Sequence, residues 1–373
     1  MNFMLKKIIF LLFFIIFLLS ANQVLAQASP GFVPPKQDYY KAQVLRIIKE
    51  GSRDIQAYKN FFQFIEVKFL EGPEKGKTAT FENGGSLKTV GQKSLKKGDQ
   101  IVVLKVTQNG KISYSVWDKL RLNYIYFAVI GFFALILIFG GLKGIGSILG
   151  MIVSFGVLIG FIVPQILNGR DPLLVSILGS LAILLITIYL AHGISRRTTS
   201  AVISTFVSLA ITGILAFIFV KIFHLSGLGD ENSYMLQMGN LQINPQGLLL
   251  GGIIIGALGV LDDVTTTQSA AIFELYKLDR KLSITDLFVK GYNIGREHIA
   301  SLVNTLILAY AGASLGLFVI FVLNPQNTPV WVILNSETMS EEIVRAIAGS
   351  IGLILAVPIT TLISSYIAKR FNP

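Results

Sequence analysis

Apolar positions follow two different patterns along this chain. Between about residues 29 and 118 they alternate with polar ones: Ile65, Val67 and Phe69 are separated by Glu66 and Lys68, the pattern of a strand with one face buried. Asn109-Gly110 joins the runs Ile101 to Thr107 and Lys111 to Trp117, a hairpin signal because both turn positions favour positive φ. From Leu122 onward the apolar residues gather instead in windows of roughly 20, the length that crosses a ~30 Å hydrocarbon core. These windows run from about Leu122 to Gly140, Ile145 to Leu167, Leu173 to Ala191, Ser200 to Ile222, Pro245 to Leu261, Ile299 to Val322 and Ile343 to Ile367. The predicted fold is a membrane all-α bundle of about seven transmembrane helices over residues 119–373. A small exported β-barrel-like domain, residues 29–118, precedes it.

Orientation follows from the flanking charges. Lys6 and Lys7 precede the apolar run Ile8 to Leu19, and Ala26-Gln27-Ala28 gives a small-residue cleavage pattern. Residues 1–28 therefore read as a secretory signal peptide, the alternative being an uncleaved first span. Arg196 and Arg197, then Lys277, Arg280, Lys281, Lys290 and Arg296, then Lys369 and Arg370 mark loops expected to face the cytoplasm. The loops around Asp230 and Glu231 and around Glu337 and Glu341 are acid-rich and belong on the opposite side. Together these charges predict a bacterial inner-membrane protein with its β domain outside and its C-terminus in the cytoplasm.

Composition narrows the chemistry. The chain is 53% hydrophobic and 14% charged, and its +11 formal charge lies mainly in the β domain and short loops, which argues against nucleic acid as a partner. It has no Cys, and its three His are far apart, so no metal or cofactor is expected. Gly72-Pro-Glu-Lys-Gly-Lys-Thr78 resembles a phosphate loop but is one residue short of the required spacing and reads as a turn.

Asp262 and Asp263 lie inside the apolar stretch GVLDDVTTTQSAA. Asn244-Pro245 is a good helix start, and the pair lies about 27 Å further along a straight helix, close to the inner interface. Extended to Leu275 the helix would be about 45 Å long, so it must protrude, tilt or break. Thr265-Thr266-Thr267-Gln268 fits a capping box and favours a break, with the two Asp as caps of a new helix near Val264. The competing reading is an ion or substrate site, since ionisable groups at membrane depth are functional candidates. On a helix Asp263 shares a face with Thr267, and Asp262 with Thr266. Asn304 adds a polar group in the sixth window, and a buried amide needs partners. Ser204, Ser208 and Thr212, Thr360 and Thr361 after Pro358, and the pairs Gly252/Gly256 and Gly312/Gly316 read as helix packing. Ser283-Ile-Thr-Asp286 opens a predicted short amphipathic connector lying at the membrane surface.

Four blocks, HGISRRTTS (His192 to Ser200), GALGVLDDVTTTQSAAIFEL (Gly256 to Leu275), GYNIGREHIASLVNTLILAYAGAS (Gly291 to Ser314) and SEEIVRAIAGSIGLILAVPITT (Ser340 to Thr361), resemble the YibE/F-like family of bacterial membrane proteins. The likeness covers the membrane part and, more loosely, the exported domain. Some relatives have Met-Asp-Val where this chain has Asp262-Asp263-Val264, so the family pattern carries over to Asp263. The resemblance implies a multi-pass protein of permease type, with no established substrate or catalytic residue. The expected function is transport of a small solute or ion, coupled to protons or cations, with Asp263 as coupling carboxylate and Asp262, Thr266, Thr267 and Asn304 around it. The bilayer, the transported solute and a second copy of the chain are the expected partners. A non-transporting scaffold, assembly or sensing protein, whose β domain binds a partner, is the first alternative. An intramembrane aspartyl enzyme is the second, disfavoured because neighbouring Asp side chains on one helix diverge.

Overall fold

A computed structural model describes residues 36–55, 58–84, 94–108, 110–238, 243–324 and 327–371. The signal-peptide segment, and Asn109 of the hairpin turn, lie outside them.

Five strands build the N-terminal domain: β1 (Lys36–Ile55), β2 (Tyr58–Phe69), β3 (Thr78–Gly84), β4 (Gln100–Gln108) and β5 (Lys111–Lys119). They form one sheet in the order β3-β2-β1-β4-β5, with every pairing antiparallel. The long β1 serves both halves, pairing with β4 through its first part and with β2 through its second. Register shifts at Val44/Arg46 and Ile47/Lys49 bend it, as bulges do by adding local twist. The sheet curls far enough for Phe81 of β3 to stack on Tyr114 of β5, ring centroids 6.0 Å apart, although these edge strands do not pair. The expected barrel is therefore an open half-barrel. Its core is the inward set that the alternation predicts, with Ala42, Val44, Ile65, Val67, Phe69, Ile101 and Val103 all buried.

Residues 72–77 lie in the turn between β2 and β3, closed by Gly76 N–H to Phe69 O and Lys77 N–H to Glu74 O. That turn carries Glu74 into contact with Lys105, and its other carboxylate oxygen accepts from the Tyr114 hydroxyl at 2.8 Å. The Lys105 hydrogen bond holds the Glu74 carboxyl below its ordinary range, while burial and Glu74 push Tyr114 up. A carboxyl whose folded-state pKa is depressed contributes stability above its unfolded pKa and loses it as pH falls through the folded value. The isolated β domain should therefore melt at a lower temperature as pH drops below about 4. Glu74→Gln should flatten that acid limb, and an unchanged limb would show that other carboxylates set it.

The second unit is helical. Among the described residues six helices are long and apolar enough to cross a membrane, or up to seven if one bent pair counts as a single span. α1 (Leu122–Val157) is a kinked pair: Gly141 at φ 54°, ψ −138° separates the spans Leu122–Gly141 and Lys143–Leu167, a conformation open to glycine but costly for other residues. The second of these continues through a π-helical turn, Leu158–Ile162, into α2 (Val163–Leu167). α3 (Pro172–His192) starts on an Asp171 cap, and α4 (Arg196–Ile222) on a Ser195 cap. The short α5 (Glu231–Met238) precedes α6 (Pro245–Leu278), which has the predicted Asn244 cap and Pro at its first turn. α7 (Ile284–Ala313) and α8 (Leu315–Leu323) meet at a 65° bend, and α9 (Val330–Leu334) leads into α10 (Glu337–Phe371).

Three expectations are corrected here. The predicted sixth window, Ile299 to Val322, is broken at Ser314. The Ser283/Asp286 capping box is present, yet the helix it opens runs unbroken to Ala313, so there is no separate surface connector. α6 does not break at Thr265: it is one helix of 34 residues, about 51 Å long. The residues of the supposed capping box bond to other helices instead. Thr265 Oγ1 lies 2.5 Å from Thr205 Oγ1 of α4, and Gln268 Nε2 donates to Gly291 O and to Thr361 Oγ1 of α10.

These contacts belong to a hydroxyl-rich seam joining α4, α6 and α10. Ser200 Oγ lies 2.6 Å from Ser269 Oγ and 3.1 Å from Ser364 Oγ, and all three side chains are buried. Ser204, Ser208 and Thr212 continue the same stripe, fully buried, as the packing reading expects. Small residues let the backbones approach: a Cβ on Gly352 of α10 would sit 1.9 Å from Thr212 Oγ1. In lipid such close packing and hydroxyl bonding replace the hydrophobic effect as the force between helices.

Candidate functional site

The seam fixes the depth of the Asp pair. Ser269 meets Ser200, Thr265 meets Thr205, and Gln246 Nε2 reaches Leu225 O, so α6 runs antiparallel to α4 with Asp262 level with Ser208. Ser208 stands about 18 Å along α4 from Arg196, near the middle of that helix. Asp262 is therefore level with the middle of α4 and lies midway along α6 itself. The first turn of α6 stands beside Leu225, beyond Lys221 at the end of α4.

The two carboxylates differ in surroundings. Asp262 is partly buried, and its Oδ1 is inaccessible with no hydrogen-bond partner among the described residues. Asp263 is exposed, on a face of α6 shared by Gly252, Gly256, Gly259 and Thr267. Neither Asp caps a helix. Thr265 and Thr266 direct their hydroxyls back to the carbonyls of Asp262 and Asp263, as hydroxyls within a helix commonly do.

A cavity opens at each end of this face. One, about 220 Å³, is lined by His192 of α3, Arg197, Thr198 and Ala201 of α4, and Thr266, Thr267 and Ala270 of α6. Asp263, Arg197 and Lys143 all lie close enough to act electrostatically on the His192 ring. The other, about 260 Å³, lies toward the acidic end of the bundle, where Glu341, Arg345 and Asp230 meet Ser176 and Gly252. Between the two, the face of α6 offers little but backbone, and the Tyr310 hydroxyl of α7 lies 3.3 Å from where a Cβ on Gly256 would stand. The arrangement is a helix face with polar groups at both ends, two carboxylates midway and small residues between.

Of the expected site residues, Asp263 and Thr267 share this face, with the partly buried Asp262 and Thr266 beside them on the same helix. Asn304 is not brought to them: it is exposed on α7 and lines neither cavity. Arg197 and Glu341 were read only as loop charges, His192 only as one of three scattered His, and Arg345 was not singled out. A Glu and an Arg four residues apart look like an ordinary surface pair. Their signal was the position of Arg345 at the mouth of an apolar run.

The bundle also separates its charges by end. Lys369 Nζ donates to Arg280 O at one end, while at the other Glu337 and Glu341 accept backbone N–H groups from Ser226, Gly227 and Gly229. No group of at least three His, Cys, Asp or Glu side chains able to hold a metal ion occurs among the described residues.

No curated protein and no solved structure matches the chain significantly. A family model described as YibE/F-like protein matches residues 128–370, which takes in the helical unit from within α1 to the end of α10 and leaves out the β domain. The chain belongs to the YibE/F-like family.

Proposed function

We propose that this protein is a permease that moves a small solute or ion along the exposed face of α6, with Asp262 and Asp263 as the coupling carboxylates. The observation that carries this reading is the pair of cavities at opposite ends of one helix face with an unpartnered Asp262 oxygen midway. A carboxylate at that depth is expensive unless a cation or proton joins it. Glycines at 252, 256 and 259 leave room for a solute to pass the backbone. Thr266 and Thr267 place hydroxyls between Asp263 and the His192 cavity.

Proteoliposomes with an imposed proton or sodium gradient test this directly. The expected result is gradient-dependent uptake of a solute, or gradient dissipation by the protein alone. A sealed preparation that passes neither protons nor sodium, and takes up no solute from a broad mixture, would favour the scaffold reading.

Orientation has its own test. The basic end of the bundle should be cytoplasmic. A reporter after Arg370 should report cytoplasm and one beside Asp230 the exported side, and the reverse pattern would invert the direction of the path.

A further inference from the structure

Glu341 and Arg345 stand one turn apart on α10 and both line the 260 Å³ cavity, yet they form no ion pair with each other. Glu341 is 3% exposed and accepts a single hydrogen bond, from Gly229 N–H at 2.9 Å. Arg345 is partly buried, and its Nε makes no hydrogen bond but forms an ion pair with Glu342 Oε1 at 3.5 Å. Gly252 of α6 stands beside the guanidinium, since a Cβ there would lie 3.4 Å from Nη1, at van der Waals contact. Ser176, 2% exposed, lines the same cavity from α3, and Asp230 lines it from the loop before α5. Much of the remaining wall is aliphatic, including Leu158, Ile162 and Leu249.

Buried charges are costly without partners, and acid and base four residues apart on a helix ordinarily satisfy each other. Here Glu341 accepts one hydrogen bond and Arg345 is paired through Nε alone, so both keep bonding capacity and both line one small cavity. A purely anionic guest would meet the carboxylates of Glu341 and Asp230, and a purely cationic one the guanidinium of Arg345. A zwitterion satisfies both. We propose that this cavity binds a small aliphatic amino acid, its carboxylate on Arg345, its ammonium on Glu341 and Asp230, and its side chain against Leu158, Ile162 and Leu249. The volume is below the range usual for drug-sized ligands and suits a solute of this size. The inference deepens the permease reading by naming a substrate class, but binding itself does not require transport. An ammonium beside an anion also describes an ethanolamine phospholipid headgroup, so the test must separate the two sources.

The experiment is equilibrium binding of radiolabelled L-leucine to the purified full chain in detergent. Competitors are leucinamide, which lacks the carboxylate, 4-methylpentanoate, which lacks the ammonium, and phosphatidylethanolamine. L-Leucine should bind, with both singly charged analogues at least ~10-fold weaker. Arg345→Gln should weaken leucine while leaving leucinamide nearly unchanged, and Glu341→Gln should do the same relative to 4-methylpentanoate. Arg345→Lys, which keeps the charge, serves if the Gln variant fails to fold, and should retain the preference for leucine over leucinamide. Absence of leucine binding, equal binding of the analogues, or Arg345 variants without effect would overturn the proposal. Displacement by phosphatidylethanolamine at low occupancy would assign the cavity to a lipid headgroup instead. Leucine binding without uptake would sink the permease reading alone, and uptake of another solute without leucine binding would sink this one alone.

Discussion

If the proposed permease couples transport through Asp262, Asp262→Asn should remove its gradient dependence, lowering coupled activity by on the order of 10-fold or more, while the melting temperature stays level or rises. The amide matches the carboxylate in shape, so packing against α4 is kept, and a charge whose Oδ1 has no partner is replaced by a neutral group. Asp263→Asn is the matched comparison, because its side chain is exposed where that of Asp262 is partly buried. The comparison needs transport and melting temperature for each variant. If Asp262→Asn transports as before while Asp263→Asn does not, the carboxylate that matters is the exposed one. If neither variant loses gradient dependence, the pair has no part in coupling.

The largest structural effect is expected at Gly352. Any side chain there drives a Cβ to within 1.9 Å of Thr212 Oγ1 and 3.0 Å of Thr212 Cβ, with α10 pressed against α4 along the seam. Overpacking of this kind costs about 1–3 kcal/mol where neighbours can shift, and more where they are backbone-fixed. Gly352→Val should therefore fall at or above the top of that range. Gly312→Val on α7 is the matched control, since nothing lies within 4 Å of the Cβ it would add. Unfolding in mild detergent under increasing denaturant measures both. Equal losses would mean that helix propensity, and not the seam, sets the cost.

Much of this architecture can be read from the residue pattern, for reasons that differ by element. The strand alternation around Ile65 works because a sheet with one wet face imposes a period of two, and its inward set is the observed core. The Asn244 and Ser283 caps work because they satisfy donors locally, whatever packs around them. Thr265-to-Gln268 failed as a cap for the converse reason: their partners, Thr205, Gly291 and Thr361, are distant in sequence, and a local motif does not reveal that a better bond waits on another helix. The depth of Asp262 was hidden likewise, because it depends on how α6 is registered against α4. Arg345 and Glu341 were legible as charges but not as cavity walls, since their failure to pair is a matter of side-chain placement.

The seam between α4 and α6 is built on a ruler whose divisions match only in part. Ser200, Ser204, Ser208 and Thr212 recur every four residues along one helix, and Thr265 and Ser269 are four apart on the other. The partners of Ser269 and Thr265, Ser200 and Thr205, are five apart, so sliding α6 by one turn, about 5.4 Å, would carry Ser269 to the level of Ser204 but Thr265 to the level of the apolar Leu209. One hydroxyl would meet another at its new level and the other would lose its partner. The helix bearing the two carboxylates is thus held at one stop along the seam.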